Sequence, residues 1–317
     1  PAREIPVADA LAMEPHLNPK ILRAVQVPDG TIDAWRLPLQ FLAAARTAGA
    51  KIFNFCEVTD ILVTDGASNA NNADGTNPTN PTNGTNGTNG TNATNRAVSG
   101  VRFLDRRSNS ERELPADIVV NATGAWAGKV AELAGVDMAV TPAPGTMVAV
   151  NKRLNNMVVS HMHPAGDGDI IVPQRKLSII GSTQWQTDDP DDSQVPAADI
   201  EYLFGRAAEM MPVFAETPFH AAWTAARPLA GRASSVEDGR KLSRDFLVVD
   251  HGRDDGVAGF LSVVGGKATV LRAMAEKTAD YVCKLAGVSE PCTTADHPLP
   301  PHRSFYNPDL DSRTRRA

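Results

Sequence analysis

Two short turns concentrate the residues of this chain that could do chemistry. The apolar run Phe260-Leu261-Ser262-Val263-Val264 ends in Gly265-Gly266-Lys267, and an amphipathic stretch from about Ala268 to Leu285 follows. Paired glycines let backbone amides approach a ligand, and open α/β sheets bind ligands beyond the carboxyl ends of their strands. A cation at a helix start gains nothing from the helix dipole, so Lys267 has either an anionic partner or plain solvent, and the turn alone weighs the two equally. The second turn, Asn121-Ala122-Thr123-Gly124, closes the run Ala116 to Ala122 and precedes a helix expected from about Ala127 to Ala134. Its small residues allow a cofactor to pass close to the backbone, and they serve equally well to pack a helix on a strand.

The elements that position these turns alternate along the chain. Leu39, Leu42 and Ala43 recur at helical spacing over Pro38 to Ala48, and Gly49 stops that helix. Lys51 to Phe55 and Glu57 to Val63 read as one strand or two, resuming at Ala97 to Leu104 as a hairpin. Between them, Asp65 to Asn95 is built of Asn, Thr, Gly and Pro, with Asn-Gly-Thr at 83–85, 86–88 and 89–91. Almost free of apolar side chains, it cannot offset its ordering entropy and is expected to be a disordered loop without function. The nearly continuous apolar run at 116–122 predicts a strand covered on both faces. Short extended segments at Thr146 to Val150, Asp169 to Val172, Leu177 to Gly181 and Phe219 to Ala226, with a helix near Ala198 to Met210, predict a mostly antiparallel sheet. Gly287 is the expected stop of the last helix.

The resulting fold class is α/β (α+β mixed) with two interleaved domains. Residues 1–135 form part of the nucleotide-binding domain, 136–228 the substrate-side domain and 229–290 the return to the first, with 291–317 as a tail. Composition agrees with a globular protein: 317 residues, 42% hydrophobic, can bury a sizeable core and hold two domains. A net charge of −6 without a basic block excludes nucleic acid as a partner. Three cysteines, Cys56, Cys283 and Cys292, with no CxxC spacing argue against a disulfide framework, a zinc site or an iron–sulfur cluster, so no metal is expected and the thiols are read as reduced and cytosolic. The longest apolar runs are too short to span a bilayer, leaving membrane contact peripheral or through partners.

Several words of the sequence occur together in one family. ADIVVNATGAWA at 116–127, followed by AARPL at 225–229, LSRDFLVVDH at 242–251 and GFLSVVGGKATVLRAMAE at 259–276, resembles FAD-dependent glycerol-3-phosphate dehydrogenases in both wording and order. VPDGTIDAWRLPLQFLAAARTAGAKI at 27–52, DIIVPQRKLSIIGSTQW at 169–185 and PCTTADHPLP at 291–300 extend the resemblance, the last to the anaerobic, multi-subunit type. The resemblance implies a glutathione-reductase-like FAD-binding domain, discontinuous in sequence, joined to an antiparallel-sheet substrate domain. The implied reaction oxidises glycerol 3-phosphate to dihydroxyacetone phosphate, with hydride passing to the flavin and electrons to a quinone through partner subunits. Such a protein is expected in the cytoplasm, or at the inner face of the cell membrane.

Carried over residue by residue, Arg227 is the arginine that binds the anionic substrate, a task suited to the guanidinium fork. Lys267 is the lysine beside flavin and substrate, which moves the earlier balance toward a ligand. Gly265, Gly266, Ala268 and Thr269 line the ring and ribityl chain; Ala122, Thr123, Gly124 and Trp126 lie along the ribityl and pyrophosphate side; Val58 falls in the adenine-contacting strand. Trp126 fits a core position as well. Arg244 is a second candidate for substrate contact, with a structural ion pair nearly as well supported.

Departures accompany the matches. No GxGxxG and no ribose-binding acidic residue precedes the opening PAREIPVADALAMEPHLNP, and the chain starts without Met, so it is expected to be an N-terminally truncated segment, inactive alone. Aerobic relatives carry a histidine after a Gly-Ser pair, where this chain has Gly145-Thr146-Met147; nearby His161 and His163 are the candidates for a general base, and solvation is the plainer fate of such a pair. The cysteine-rich extension of the anaerobic relatives is also missing after Cys292. Two other readings stand beside the dehydrogenase: a flavin-dependent amine or hydroxy-acid oxidase of the same fold, and a non-catalytic subunit lacking the nucleotide loop.

Overall fold

Strand β1 (Arg3–Ile5) and strand β2 (Ala24–Gln26) pair antiparallel around helix α1 (Val7–Met13). The computed structural model describes residues 2–28, 30–65, 96–162, 170–231 and 245–307. Helix α2 (Arg36–Thr47) starts two residues before Pro38, which stands in the first turn where its missing N–H costs nothing. Asp33 Oδ1 accepts the amide protons of Trp35 at 3.2 Å and Arg36 at 3.1 Å, a start signal that the apolar spacing did not carry. Gly49, at φ 93°, ends the helix as expected.

Strand β3 (Cys56–Asp65) and strand β4 (Arg96–Asp105) form the expected antiparallel hairpin, from Cys56 opposite Asp105 to Asp65 opposite Arg96. The strand expected at Lys51 to Phe55 is absent, because Phe55 takes a left-handed φ of 61° that breaks an extended ladder just before Cys56. The Asn/Thr/Gly segment at 66–95 lies outside the described residues. Strand β5 (Ser110–Pro115) adds to β4, and strand β6 (Val119–Asn121) follows. β6 is shorter than the run at 116–122 and Val120 is exposed, so the expected cover on both faces is corrected to one covered face among the described residues. Helix α3 (Ala127–Leu133) comes next.

Strands β7 (Val140–Val150), β8 (Val159–Ser160), β9 (Ile170–Gln174) and β10 (Leu177–Gly181), with strand β11 (Phe219–Ala230), make a five-stranded antiparallel sheet in the order β11-β7-β10-β9-β8. Helix α4 (Ala197–Met210) covers it. Val148, Val150, Ile171 and Ile180 from the strands interdigitate with Leu203, Ala207, Met211 and Phe214, all of them without solvent exposure. Each fully buried aliphatic or aromatic side chain here contributes roughly 1.5–3 kcal/mol over leaving it in water.

Strand β12 (Phe246–Asp250), helix α5 (His251–Asp254), strand β13 (Val257–Ala258), strand β14 (Phe260–Gly265) and helix α6 (Leu271–Leu285) complete the fold. β14 pairs parallel with β6 and antiparallel with β12, and β13 pairs parallel with β4. The last helix begins as a single 3-10 turn, Ala268–Val270, and its end at Gly287 is closed by the Val288 amide on Cys283 O at 2.7 Å. Parallel and antiparallel strand pairs thus coexist, the mixed α/β class that the sequence predicts.

Candidate active site

Parallel pairing sets Phe260, Leu261 and Ser262 opposite Val119, Val120 and Asn121, so the two glycine turns leave the carboxyl ends of adjacent strands side by side. Gly265 and Gly266 both hold left-handed φ, 81° and 80°, and a Cβ on Gly265 would stand 2.6 Å from Asp245 O. Only glycine fits there. Gly124 is also left-handed, at φ 62°, and no atom lies within 4 Å of where its Cβ would be, so that turn opens outward. Ala122, Thr123, Lys267, Ala268 and Thr269 are exposed along the same two turns. Small side chains, left-handed glycines and open backbone make a cradle that a flat, extended cofactor fits.

Lys267 caps the 3-10 turn in an extended conformation (φ −120°, ψ 152°), its ammonium exposed beside the start of a helix. Trp126, which fitted a core position equally well from the sequence, is 42% exposed; its Nε1 donates to Asp191 Oδ1 at 3.0 Å. Beside it, the Asp189 carboxyl is held below its ordinary value by the Asp191 amide N–H and by Lys129.

Arg227 projects from β11 at a position paired with Ala143 of β7. Its guanidinium crosses over Gly145, where a Cβ would come within 2.7 Å of Nη1, and Nη2 donates to Ser182 Oγ just beyond β10. β11 itself packs against β14 and against the turn at Gly124–Trp126. Behind the arginine, Asp199 Oδ2 accepts the hydroxyls of Thr146 at 2.8 Å and Thr183 at 2.6 Å, and Thr183 Oγ1 accepts the Thr146 amide proton at 3.0 Å. These bonds hold the positions next to Gly145 and Ser182, and Thr146 is a structural donor there. Sequence reasoning missed Asp199 and Thr183, whose only signal was polarity next to an apolar helix face.

The structure does not bring His161 to Arg227. His161 follows β8, four strands from β11 across the sheet, a separation of about 19 Å at the usual inter-strand spacing. Its ring meets Arg206 Nη2 at 3.1 Å and Glu209 Oε2 at 4.0 Å on α4, so the expected base is corrected to a side chain tied to that helix. His163 and Arg244 lie outside the described residues. Val58 is exposed in β3, in the sheet next to β6. Among the described residues no cluster of His, Cys, Asp or Glu could hold a metal, and no helix is long and apolar enough to cross a membrane.

With this geometry in place, the comparisons with known proteins define the class. The family model of FAD dependent oxidoreductases (DAO) matches residues 1–272, and the chain belongs to that family. Among curated proteins it is 35% identical over 306 residues to an anaerobic glycerol-3-phosphate dehydrogenase subunit from Haloferax volcanii, covering 96% of this chain and 49% of that one. It is 33% identical over 301 residues to the corresponding anaerobic glycerol-3-phosphate dehydrogenase subunit from Escherichia coli, covering 94% and 50%. The chain therefore spans about half the length of the curated relatives it matches. Among solved structures, glycerol-3-phosphate dehydrogenase from Bacillus halodurans complexed with FAD superposes with a TM-score of 0.67 at 24% identity, over 99% of this chain and 56% of that one. Glycine oxidase from Geobacillus kaustophilus gives 0.62 at 22%, over 95% and 67%, so the fold is that of FAD-binding oxidoreductases.

Proposed function

We propose that this chain carries the flavin-facing and substrate-facing part of an FAD-dependent glycerol-3-phosphate dehydrogenase of the anaerobic, multi-subunit type. The observation that carries the reading is Arg227, a half-buried guanidinium laid over Gly145 on a strand, β11, that packs against β14 and the turn at Gly124–Trp126. An arginine in that place suits a phosphate, which accepts two parallel N–H bonds from the fork. FAD supplies the hydride acceptor for oxidation of the secondary alcohol of sn-glycerol 3-phosphate to dihydroxyacetone phosphate.

Around that acceptor the chain's own residues orient and hold charge. Gly265, Gly266, Ala268 and Thr269 offer backbone groups to the ring and ribityl chain, and Lys267 holds a positive charge where the reduced ring gains electron density. Ala122, Thr123, Gly124 and Trp126 serve the ribityl and pyrophosphate side, and Val58 the adenine. Residues 1–135 and 229–290 make up the FAD-binding domain in this reading, and 136–228 the substrate domain. Arg244 joins Arg227 as a substrate contact. Identity to proteins named as subunits of an anaerobic dehydrogenase supports partner subunits; in this reading electrons pass through them to a quinone, and the protein meets the membrane from the cytoplasmic side.

The test uses protein expressed from the complete gene. It is expected to reduce an artificial acceptor with glycerol 3-phosphate and not with glycine, sarcosine or lactate. Preference for an amine would move the protein to the oxidase reading, and a folded, colourless product after FAD reconstitution would make it a non-catalytic subunit.

A further inference from the structure

Behind the 122–124 turn, four side chains form one hydrogen-bonded chain through the interior. Asp255 Oδ2 lies 2.6 Å from His251 Nδ1, and His251 Nε2 lies 2.8 Å from Ser262 Oγ. Asn121 Nδ2 donates to Ser262 Oγ at 3.2 Å and to Ala127 O at 2.8 Å. Asn121 Oδ1 accepts the Thr123 hydroxyl at 2.6 Å and the Thr123 amide at 3.4 Å. His251, Ser262 and Asn121 are at most 2% exposed, while the Asp255 side chain is 34% exposed. The imidazole stacks on Phe260, with ring centroids 4.7 Å apart.

A carboxylate only accepts, so the hydrogen bond between Asp255 and His251 carries its proton on Nδ1. Ser262 Oγ accepts from Asn121 and shares a second hydrogen bond with His251 Nε2. The Asn121 amide is turned with its nitrogen toward Ser262 and Ala127 O and its oxygen toward Thr123. The Ala127 carbonyl, which only accepts, and the Thr123 amide, which only donates, fix that orientation at the mouth of the glycine turn, and the Ser262 hydroxyl ties it to His251 and Asp255. Ser262 and Asn121 are also register partners on β14 and β6, so the same bonds clamp the strand that leads to Gly265 onto the one that leads to Gly124. Apolar side chains of similar volume would fill these three buried places without any such orientation.

We propose that Asp255, His251, Ser262 and Asn121 are positioning residues that set the 122–124 turn against the 265–267 turn for FAD. The proposal rests on the reading that those two turns hold the cofactor. Ser262→Ala removes the central hydroxyl with little change of volume and leaves buried polar atoms on both neighbours short of a partner, so FAD binding is expected to weaken about tenfold. The flavin absorption band should also lose its resolved shoulder, the spectral mark of a rigidly held ring. Replacing both partners, His251→Phe with Ser262→Ala, removes the unpaired ring nitrogen and should restore melting temperature while FAD affinity stays low. A merely structural role predicts that the two recover together.

Leu203→Ala, in the core of the antiparallel sheet, is the control: it should lower melting temperature at least as much and leave FAD affinity within about twofold. Asp255→Leu, at the half-exposed end, spares the core and should weaken FAD about threefold. A yellow parent protein with unchanged FAD affinity in Ser262→Ala and Asp255→Leu, or recovery of affinity along with stability in the double variant, overturns the relay alone. A parent that takes up no FAD overturns the flavin reading and the relay with it.

Discussion

The antiparallel sheet and the paired glycine turns spend their buried positions differently. Under α4 the interior is mostly apolar, with Val148, Val150, Ile171, Ile180, Leu203, Met211 and Phe214 all without exposure, and its buried polar side chains, Thr146 and Ser178, are hydrogen-bonded. Between β6 and β14 the interior admits Asn121, Ser262 and His251, and the backbone beyond them is left-handed at Gly124, Gly265 and Gly266. The first region derives its stability from volume and contact, which many side chains can supply. The second holds a specific backbone shape open to the exterior, and only particular donors, acceptors and glycines maintain it. Stability and site construction are thus largely assigned to different parts of one chain, with Arg227 on the strand where they meet.

Substitutions can break that division or sharpen it. The largest loss of stability is expected from Phe214→Ala, which empties a fully buried site and should cost about 3–5 kcal/mol in denaturant unfolding; FAD affinity in the folded fraction should be unaffected. Arg227→Ala should instead spare the fold and lower kcat/KM for glycerol 3-phosphate by about 10–150-fold, the equivalent of about 1.5–3 kcal/mol for a charge-assisted pair. Unphosphorylated glycerol, lacking the contact, should lose much less, and equal losses for both would show general damage. Lys267→Met keeps the stem and removes an exposed charge, so the flavin potential should fall by on the order of 20 mV in a potentiometric titration, with FAD content intact. An unchanged potential would place Lys267 away from the ring. The smallest effect is expected from replacing residues 66–95 by a short turn: loop-closure entropy changes slowly with length, so stability should move by less than about 0.5 kcal/mol, and a larger drop in melting temperature would show that the segment packs.

Both regions were legible in the sequence to different depths. Short extended segments marked every strand of the large sheet except β8, which is two residues long. The turns were legible as glycine after an apolar run, since left-handed backbone demands that residue. The relay was not: Ser262 interrupts Phe260 to Val264 and His251 follows Asp250, but a polar residue in a strand does not announce its partner, and His251 reaches Ser262 only once β12 has folded back onto β14. His161 failed as a candidate for the converse reason. Closeness in sequence to Gly145 placed it near the site, whereas the sheet order carries β8 to the far edge. Phe55 shows the limit of propensity, for an aromatic in a β-rich stretch took the left-handed conformation that ends the strand signal.

The central claim is that Arg227 and the two glycine turns belong to one site. It is tested most directly by titrating the oxidised, FAD-loaded protein with dihydroxyacetone phosphate and following the flavin difference spectrum. A saturable perturbation is expected in the parent, weakened at least about tenfold in Arg227→Ala, and much weaker with dihydroxyacetone itself. A perturbation of equal affinity in parent and variant, or none in the parent, would contradict the account.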